Sequence, residues 1–424
     1  MEKILLLQNK HWHDKPYTGL YNRHILSRLL KKMALKEIQV LLGIRRGGKS
    51  TIFNLLINHL MQEERPRSIL YINLDDPYYA EIYNDARQLY QVIETAEKLT
   101  GEKASYLFLD EVQNVRDWEQ FVKSVYDIDL FKKIFITGSN SSLLQGEYSR
   151  LLSGRYTVDY ISPFSFGELL EVHGIDSRLA MIDNRAKILR LVDDILEYGS
   201  FPEVIKHEDR ELKREILLGY FDTIILKDCI AGSRIRDIKT FKTLVYYLIS
   251  NNGTLYSYNS LSKGVGSNEN TIKEFIGVLE NSFLLQEITG FSYSLKKQIR
   301  GRKKSYFADN GFLANMSFRF SANKGKLMEN LVYTELLKRG GTVYFYNPSQ
   351  AGECDFIVQN GRDLTAVQVC FELTDQNRKR EISGLKTAMD KLRISNGVII
   401  TYNQAVTENG MVCIPFWDYF GALK

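Results

Sequence analysis

The sequence predicts an α/β protein: a parallel sheet at the N-terminal end, a helical middle, and a second α/β unit at the C-terminal end. Three observations predict it. Short apolar runs alternate with helix-like stretches over residues 20–160. Residues 163–245 read as almost all helix. Strand patterns then return after a helix at 327–339. Continuous apolar strands separated by helices imply a parallel sheet covered on both faces.

In chain order, residues 37–43 (EIQVLLG) read as a buried strand and 51–62 as an amphipathic helix. Residues 68–75 (SILYINLD) form a second strand and 86–98 a helix. Residues 105–110 (SYLFLD) form a third strand, 118–127 a helix and 133–138 (KIFITG) a fourth strand. Helical patterns follow at 165–173, 184–198 and 211–230. Residues 255–307 read as two short helices and then two strand-like segments. The closing unit has strands at 342–346, 355–359, 366–370 and 397–401.

Composition sets the outer limits. The 424 residues are 44% hydrophobic and 25% charged, which fits a globular chain and excludes disordered and collagen-like classes. No apolar run approaches the length of a membrane span. The four cysteines (Cys229, Cys354, Cys370, Cys413) are scattered with no CxxC, which fits a reducing cytoplasm. The net charge of +5 permits acidic partners without requiring them. The six histidines show no metal spacing, and His11 and His13 read as surface residues.

Gly43-Ile44-Arg45-Arg46-Gly47-Gly48-Lys49-Ser50 fits G-x-x-x-x-G-K-[ST] and sits between a strand and a helix. Glycines let backbone N–H groups curl around a phosphate, and the helix opening through Lys49, Ser50 and Thr51 adds its own unpaired N–H groups. Lys49 would reach the β- and γ-phosphates of ATP, and Ser50 would ligate Mg²⁺. The third strand ends in Asp110-Glu111. Asp110 would hold the Mg²⁺ through water, and Glu111 would orient or deprotonate the attacking water. The strand at 68–75 reads as one inserted between the two catalytic strands. The fourth strand ends Thr137-Gly138-Ser139-Asn140, where Ser139 or Asn140 would face the γ-phosphate or simply form a turn. Arg150 and Arg155 follow, either as exposed arginines or as residues acting in trans in a homo-oligomer.

These residues resemble the AAA+ branch of P-loop ATPases. More narrowly, G-x-R-R-x-G-K-[ST], LDE, TGSNSSLL, the LSGR segment, PFSFGE (163–168) and GSFPEV (199–204) resemble bacterial and archaeal ATPases with an AAA-type N-terminal domain and a C-terminal domain of unknown function. KSYFADNG (304–311), Glu329-Asn330, ECDF (353–356) and Gln368-Val369-Cys370 fit the same pattern. The resemblance implies an ATPase core at 1–162, a helical lid at 163–245, a winged-helix-like module at 246–310 and a PD-(D/E)xK nuclease-like domain at 311–424. It names no biological role.

Within 254–307, a basic run of Lys296, Lys297, Arg300, Arg302, Lys303 and Lys304 reads as the wing of that module. It would track a DNA backbone or form a solvated hairpin used for protein contacts. Glu329, Asp355 and Gln368 follow the order of a nuclease core, but Cys370 stands at the lysine position and Gln368 replaces a carboxylate. Neither supplies what the ions or the water would need, so the site reads as degenerate. The expectation is a cytoplasmic, Mg²⁺-dependent ATPase acting as a switch on a macromolecular partner, DNA or a protein client, with no membrane partner. The alternatives are an ATP-gated binding module with slow hydrolysis and an ATP-controlled nuclease.

Overall fold

The computed structural model describes all residues except 145–149, 234, 317–322, 349–351, 409 and 422–424. It divides into two compact units, Met1–Ser162 with Asn281–Phe283, and the remainder from Pro163 onward.

The first unit is a five-stranded sheet, parallel throughout, of β1 (Ile38–Leu42), β2 (Ile69–Asn73), β3 (Tyr106–Asp110), β4 (Lys133–Gly138) and β5 (Tyr156–Tyr160), in the order β2-β3-β4-β1-β5. The strands β1, β3 and β4 are buried along their whole length, as continuous apolar runs with helices on both faces require. The helix Lys49–Leu60 buries Ile52, Phe53, Leu56, Ile57 and Leu60, an i, i+4, i+8 stripe, against one face. There Phe53 packs edge-on to Phe108, which stacks on Phe135 at 4.3 Å between centroids. The helices Gln88–Thr100 and Trp118–Asp127 supply side chains to the cluster on the other face.

Two expectations change here. In space, β4 lies between the loop-bearing strand β1 and the acidic strand β3, whereas β2 lies beyond β3 at the sheet edge. The strand inserted between the two is therefore 133–138, not 68–75. The other change is His11, which is fully buried and not at the surface. Its Nε2 is bonded to Ile69 O at 2.9 Å and its Nδ1 to Tyr17 Oη at 3.1 Å. Burial lowers its pKa to about 4, against the partly restoring Ile69 bond, so the ring is neutral at pH 7.

The second unit opens with helices Phe166–Val172, Arg178–Asp183, Arg185–Tyr198, Arg210–Thr223 and Ile238–Ser250. The first begins with a full capping box between Ser165 and Glu168. Arg210–Thr223 runs on into a π-helical segment, Ile224–Ala231. Helices Tyr258–Val265 and Glu269–Asn281 then lead to the antiparallel pair β6 (Leu285–Thr289) and β7 (Lys303–Phe307). Between these strands the chain forms a short helix, Leu295–Arg300, where extended wing was expected. Leu, Lys, Gln and Arg are all good helix formers, which explains the difference. Helix Lys324–Lys338 precedes a mixed six-stranded sheet of β8 (Thr342–Tyr346), β9 (Cys354–Asn360), β10 (Asp363–Cys370), β11 (Asn396–Thr401), β12 (Val406–Glu408) and β13 (Met411–Pro415). Its order is β12-β13-β11-β10-β9-β8, and helix Arg378–Leu392 packs on β9, β10 and β11. Among the described residues, no helix is long and apolar enough to cross a membrane.

Candidate active site

The residues of interest in the first unit meet at the carboxyl ends of β1, β3 and β4, where open α/β sheets place their ligand crevices. The chain leaves β1 at Gly43. A Cβ there would fall 1.9 Å from Ile161 O, so only glycine fits. Gly48 has φ +104 and passes the chain into helix Lys49–Leu60. The first helical bond is Ile52 N to Gly48 O at 3.0 Å. The N–H groups of Lys49, Ser50 and Thr51 therefore precede the intrahelical ladder and are available to an anion. Arg23 braces the loop from outside, donating to Gly47 O at 3.2 Å and Ser162 O at 2.7 Å.

Lys49 is 4% exposed and lies over the loop. Its Nζ donates to Gly43 O at 3.0 Å and Ile44 O at 3.3 Å, and stands 3.5 Å from Glu111 Oε1. Asp110 is buried at the end of β3. One of its oxygens accepts from Tyr71 Oη at 2.8 Å, the other accepts from the Thr137 hydroxyl, and Ser50 also bonds to the carboxylate. Burial raises the Asp110 pKa, the Glu111 charge adds to the rise, and the three hydroxyls partly offset it.

Glu111 follows in a left-handed conformation, φ +55. Its N–H donates to Thr137 Oγ1 at 2.9 Å, which locks the turn to the neighbouring strand. Its carboxylate accepts from Gln113, and Gln113 also donates to Ser139 Oγ at 3.3 Å. Burial alone would raise the Glu111 pKa. The Lys49 and Arg45 charges and the Gln113 bond outweigh it, and the pKa is lowered. Two adjacent carboxyls are thus driven in opposite directions, Asp110 up by burial and Glu111 down by its cationic neighbours. Ser50 and Asp110 offer the hard oxygen donors that Mg²⁺ takes, and the occupied lone pairs of Asp110 suit contact through water.

The structure therefore brings together Gly43, Ile44, Arg45, Gly47, Gly48, Lys49, Ser50, Asp110 and Glu111. Arg46 is exposed, with φ +67. Asn140 Oδ1 caps the next turn by accepting from Ser142 N at 2.9 Å. Of the two candidates at that strand end, Ser139 is the one tied to Glu111, through Gln113. Arg155 lies at the amino end of the strands, opposite the end that carries the loop. It precedes β5, whose first residue, Tyr156, pairs with Ile38 at the start of β1, and it donates to Asp127 Oδ1 at 3.0 Å. Sequence reading missed Thr137, Tyr71, Arg23 and Gln113. The signal for Thr137 was its place in β4 one residue before Gly138.

A second cluster forms in the other unit. Glu329 Oε1 accepts from Tyr306 Oη at 2.6 Å and from Lys304 Nζ at 3.2 Å. Lys304 also stands 2.5 Å from Glu353 Oε1. Asp355 Oδ2 accepts from Val369 N at 2.8 Å, Asp355 N donates to Gln368 Oε1, and Gln368 donates to Glu381 at 2.7 Å. Burial raises the Asp355 pKa, and Glu329 raises it further. Glu329, Asp355 and Gln368 do converge, with Lys304 as their counter-charge. Burial pushes the Cys370 thiol up to about 11, so it supplies no charge. Among the described residues, no group of three His, Cys, Asp or Glu is placed to hold a metal ion.

That geometry corrects the proposed wing. Lys304 is 3% exposed and ion-paired, and Lys303 is buried with its Nζ on Gln298 O and Ile299 O, so neither can track a DNA backbone. Lys296, Lys297, Arg300 and Arg302 remain exposed.

The fold and loop define the first unit as an AAA domain of the P-loop type, and a family model described as "AAA domain" matches residues 35–170. Models described as domains of unknown function, DUF8612 and DUF4143, match 189–323 and 324–419. The chain is 31% identical over 408 residues to the uncharacterized protein MJ1544 of Methanocaldococcus jannaschii, covering 92% of this chain and 89% of that one. It is also 31% identical over 362 residues to an uncharacterized protein of Haemophilus influenzae, covering 84% and 88%. The chain belongs to this family of AAA-domain proteins with C-terminal domains of unknown function. Similar solved structures include the Aeropyrum pernix ORC1 protein in complex with DNA, at 13% identity, TM-score 0.31, and 75% and 94% coverage. AMPPCP-bound DnaA from Aquifex aeolicus matches at 15% identity, TM-score 0.27, and 63% and 90% coverage. Likeness at that level carries no functional argument, which rests on the site.

Proposed function

We propose that this protein hydrolyses ATP and uses the cycle as a switch on a macromolecular partner. The observation that supports it most is the convergence of Lys49, Ser50, Asp110 and Glu111 at the carboxyl end of the sheet, with Glu111 held ionised beside Lys49. The loop and the helix start bind the phosphates through backbone N–H groups, and Lys49 adds charge at the β- and γ-phosphates. Ser50, and Asp110 through water, would hold Mg²⁺, which would neutralise charge on the phosphate oxygens. Glu111 aligns water and takes its proton. Thr137 holds Glu111 in place, and Gln113 links it to Ser139.

The four exposed cations Lys296, Lys297, Arg300 and Arg302, beside the exposed Tyr293, Leu295 and Ile299, favour an acidic partner such as DNA bound by a winged-helix-like module at 246–310. The converging carboxyls of the second unit favour a scaffold role over nuclease chemistry, because Lys304 already neutralises them. Steady-state ATP hydrolysis with Mg²⁺, with and without duplex DNA, tests the proposal. Turnover that depends on Lys49, and that DNA accelerates, supports both parts. ATP binding without turnover under any condition refutes the hydrolysis and leaves a nucleotide-gated binding module.

A further inference from the structure

Arg45 folds inward from the crest of the phosphate-binding loop. Its side chain is 14% exposed, although its neighbour Arg46 is open to solvent. Nη1 stands 3.9 Å from Asp75 Oδ2, just past the end of β2. Asp75 is itself fixed, its N–H donating to Asn73 Oδ1 at 3.0 Å and its Oδ1 accepting from Asn114 at 3.4 Å. Asn73 is opposite Asp110 in the sheet. The guanidinium therefore lies across the carboxyl ends of β2 and β3, on the side that carries Asp110 and Glu111. Its charge also acts on the Glu111 carboxylate.

We propose that Arg45 binds the γ-phosphate in cis, so that each chain completes its own hydrolytic site without an arginine from a second copy. This rests on the ATP-hydrolysis reading above. In the step itself, a water oxygen bonds to the γ-phosphorus and Glu111 accepts the water proton. The bond from that phosphorus to the β–γ bridging oxygen breaks, and inorganic phosphate and ADP leave. Arg45 stabilises the charge spread over the γ-oxygens, the role an arginine finger fills from outside in other P-loop enzymes. The other candidate, Arg155, is at the amino end of the strands in its own chain and tied to Asp127.

The test uses the full chain and Arg45→Ala, with Arg45→Lys as a second variant. Fluorescent ATP and ADP analogues report affinity, and kcat is measured across a hundredfold range of protein concentration. Arg45→Ala should lower kcat by roughly 10³-fold, the low end for an arginine at this step. It should weaken ATP binding at least tenfold and leave ADP affinity unchanged, because ADP lacks the contacted group. Arg45→Lys should recover part of the ATP preference. Wild-type kcat should not vary with concentration.

An unchanged ratio of ATP to ADP affinity in Arg45→Ala would mean that Arg45 only holds the Glu111 region in place, and would overturn the proposal. So would a wild-type kcat that rises with concentration while Arg155→Ala loses turnover as deeply as Arg45→Ala. Wild type that binds ATP but never turns over refutes the hydrolysis alone, since the affinity ratio still reports on Arg45. Wild type that binds neither analogue refutes both.

Discussion

Replacing Thr137 with valine removes one hydroxyl from the centre of the candidate site and keeps nearly the same shape. That hydroxyl accepts from Glu111 N at 2.9 Å and donates to Asp110, and Thr137 is fully buried. Leaving the Glu111 N–H unpaired in the interior costs about 1–3 kcal/mol, and the bond to the carboxyl contributes about 1.5–3 kcal/mol when the acceptor is charged. Burial raises the Asp110 pKa, so the lower half of the second range applies. The expected loss is about 3 kcal/mol in the first unit, since both terms share one group and do not add in full. Glu111 has φ +55, a strained conformation for a side-chain-bearing residue, and this bond helps to hold it. Catalysis should therefore fall along with stability. Urea unfolding followed by tryptophan fluorescence is a suitable assay, because Trp12 and Trp118 are both buried in this unit. A change below about 0.5 kcal/mol, within the range of ordinary surface substitutions, would refute the argument that Thr137 ties the two acidic residues together.

Lys304→Met should destabilise the second unit by about 3–5 kcal/mol at pH 7, because it leaves Glu329, Glu353 and Asp355 facing one another in the interior. Lowering the pH should restore part of the melting temperature, and no recovery at acid pH would contradict the reading of Lys304 as their counter-charge. His11 should make the first unit acid-sensitive. Its folded pKa of about 4 lies below the ordinary histidine value of 6.5, so its stabilisation is complete above pH 6.5 and is lost as the pH falls towards 4, by about 3 kcal/mol. A His11→Gln variant whose stability falls just as steeply over that window would exclude His11 as the cause. Replacing Lys296, Lys297, Arg300 and Arg302 together with alanine should flatten the salt dependence of DNA binding by about four phosphate contacts, read as the slope of log K against log salt concentration. An unchanged slope would move the partner away from DNA.

The parts of the site that lie close together in the chain were legible from sequence. The loop from Gly43 to Ser50 is contiguous, and Asp110-Glu111 closes a recognisable buried strand. What sequence could not supply was the register that carries remote residues to them. Tyr71 reaches Asp110 because β2 pairs with β3, and Thr137 reaches both acidic residues because β4 lies beside β3. The edge strand β5 escaped notice because it is only half-buried, with a charged residue inside it. That residue, Asp159, is neutralised by Arg28 and Lys32. Helix Arg378–Leu392 escaped because its charge hides a narrow apolar stripe of Leu385, Ala388 and Leu392. Lys303 and Lys304 read as surface charge because a basic run has no local sign of partners far along the chain. The strand that carries them is buried throughout. His11 shows the same limit, since its acceptor is a backbone carbonyl on β2.

The most direct measurement of the central claim is the identity of the nucleotide that the protein retains. Wild type and Glu111→Gln are each incubated with ATP and Mg²⁺ and passed rapidly over a desalting column, and the nucleotide released on denaturation is separated by chromatography. Wild type should yield ADP and Glu111→Gln intact ATP, because the loop and Lys49 still bind while the water has lost its base. ADP from both proteins in equal amounts would contradict the role given to Glu111, and no nucleotide from either would contradict the site itself.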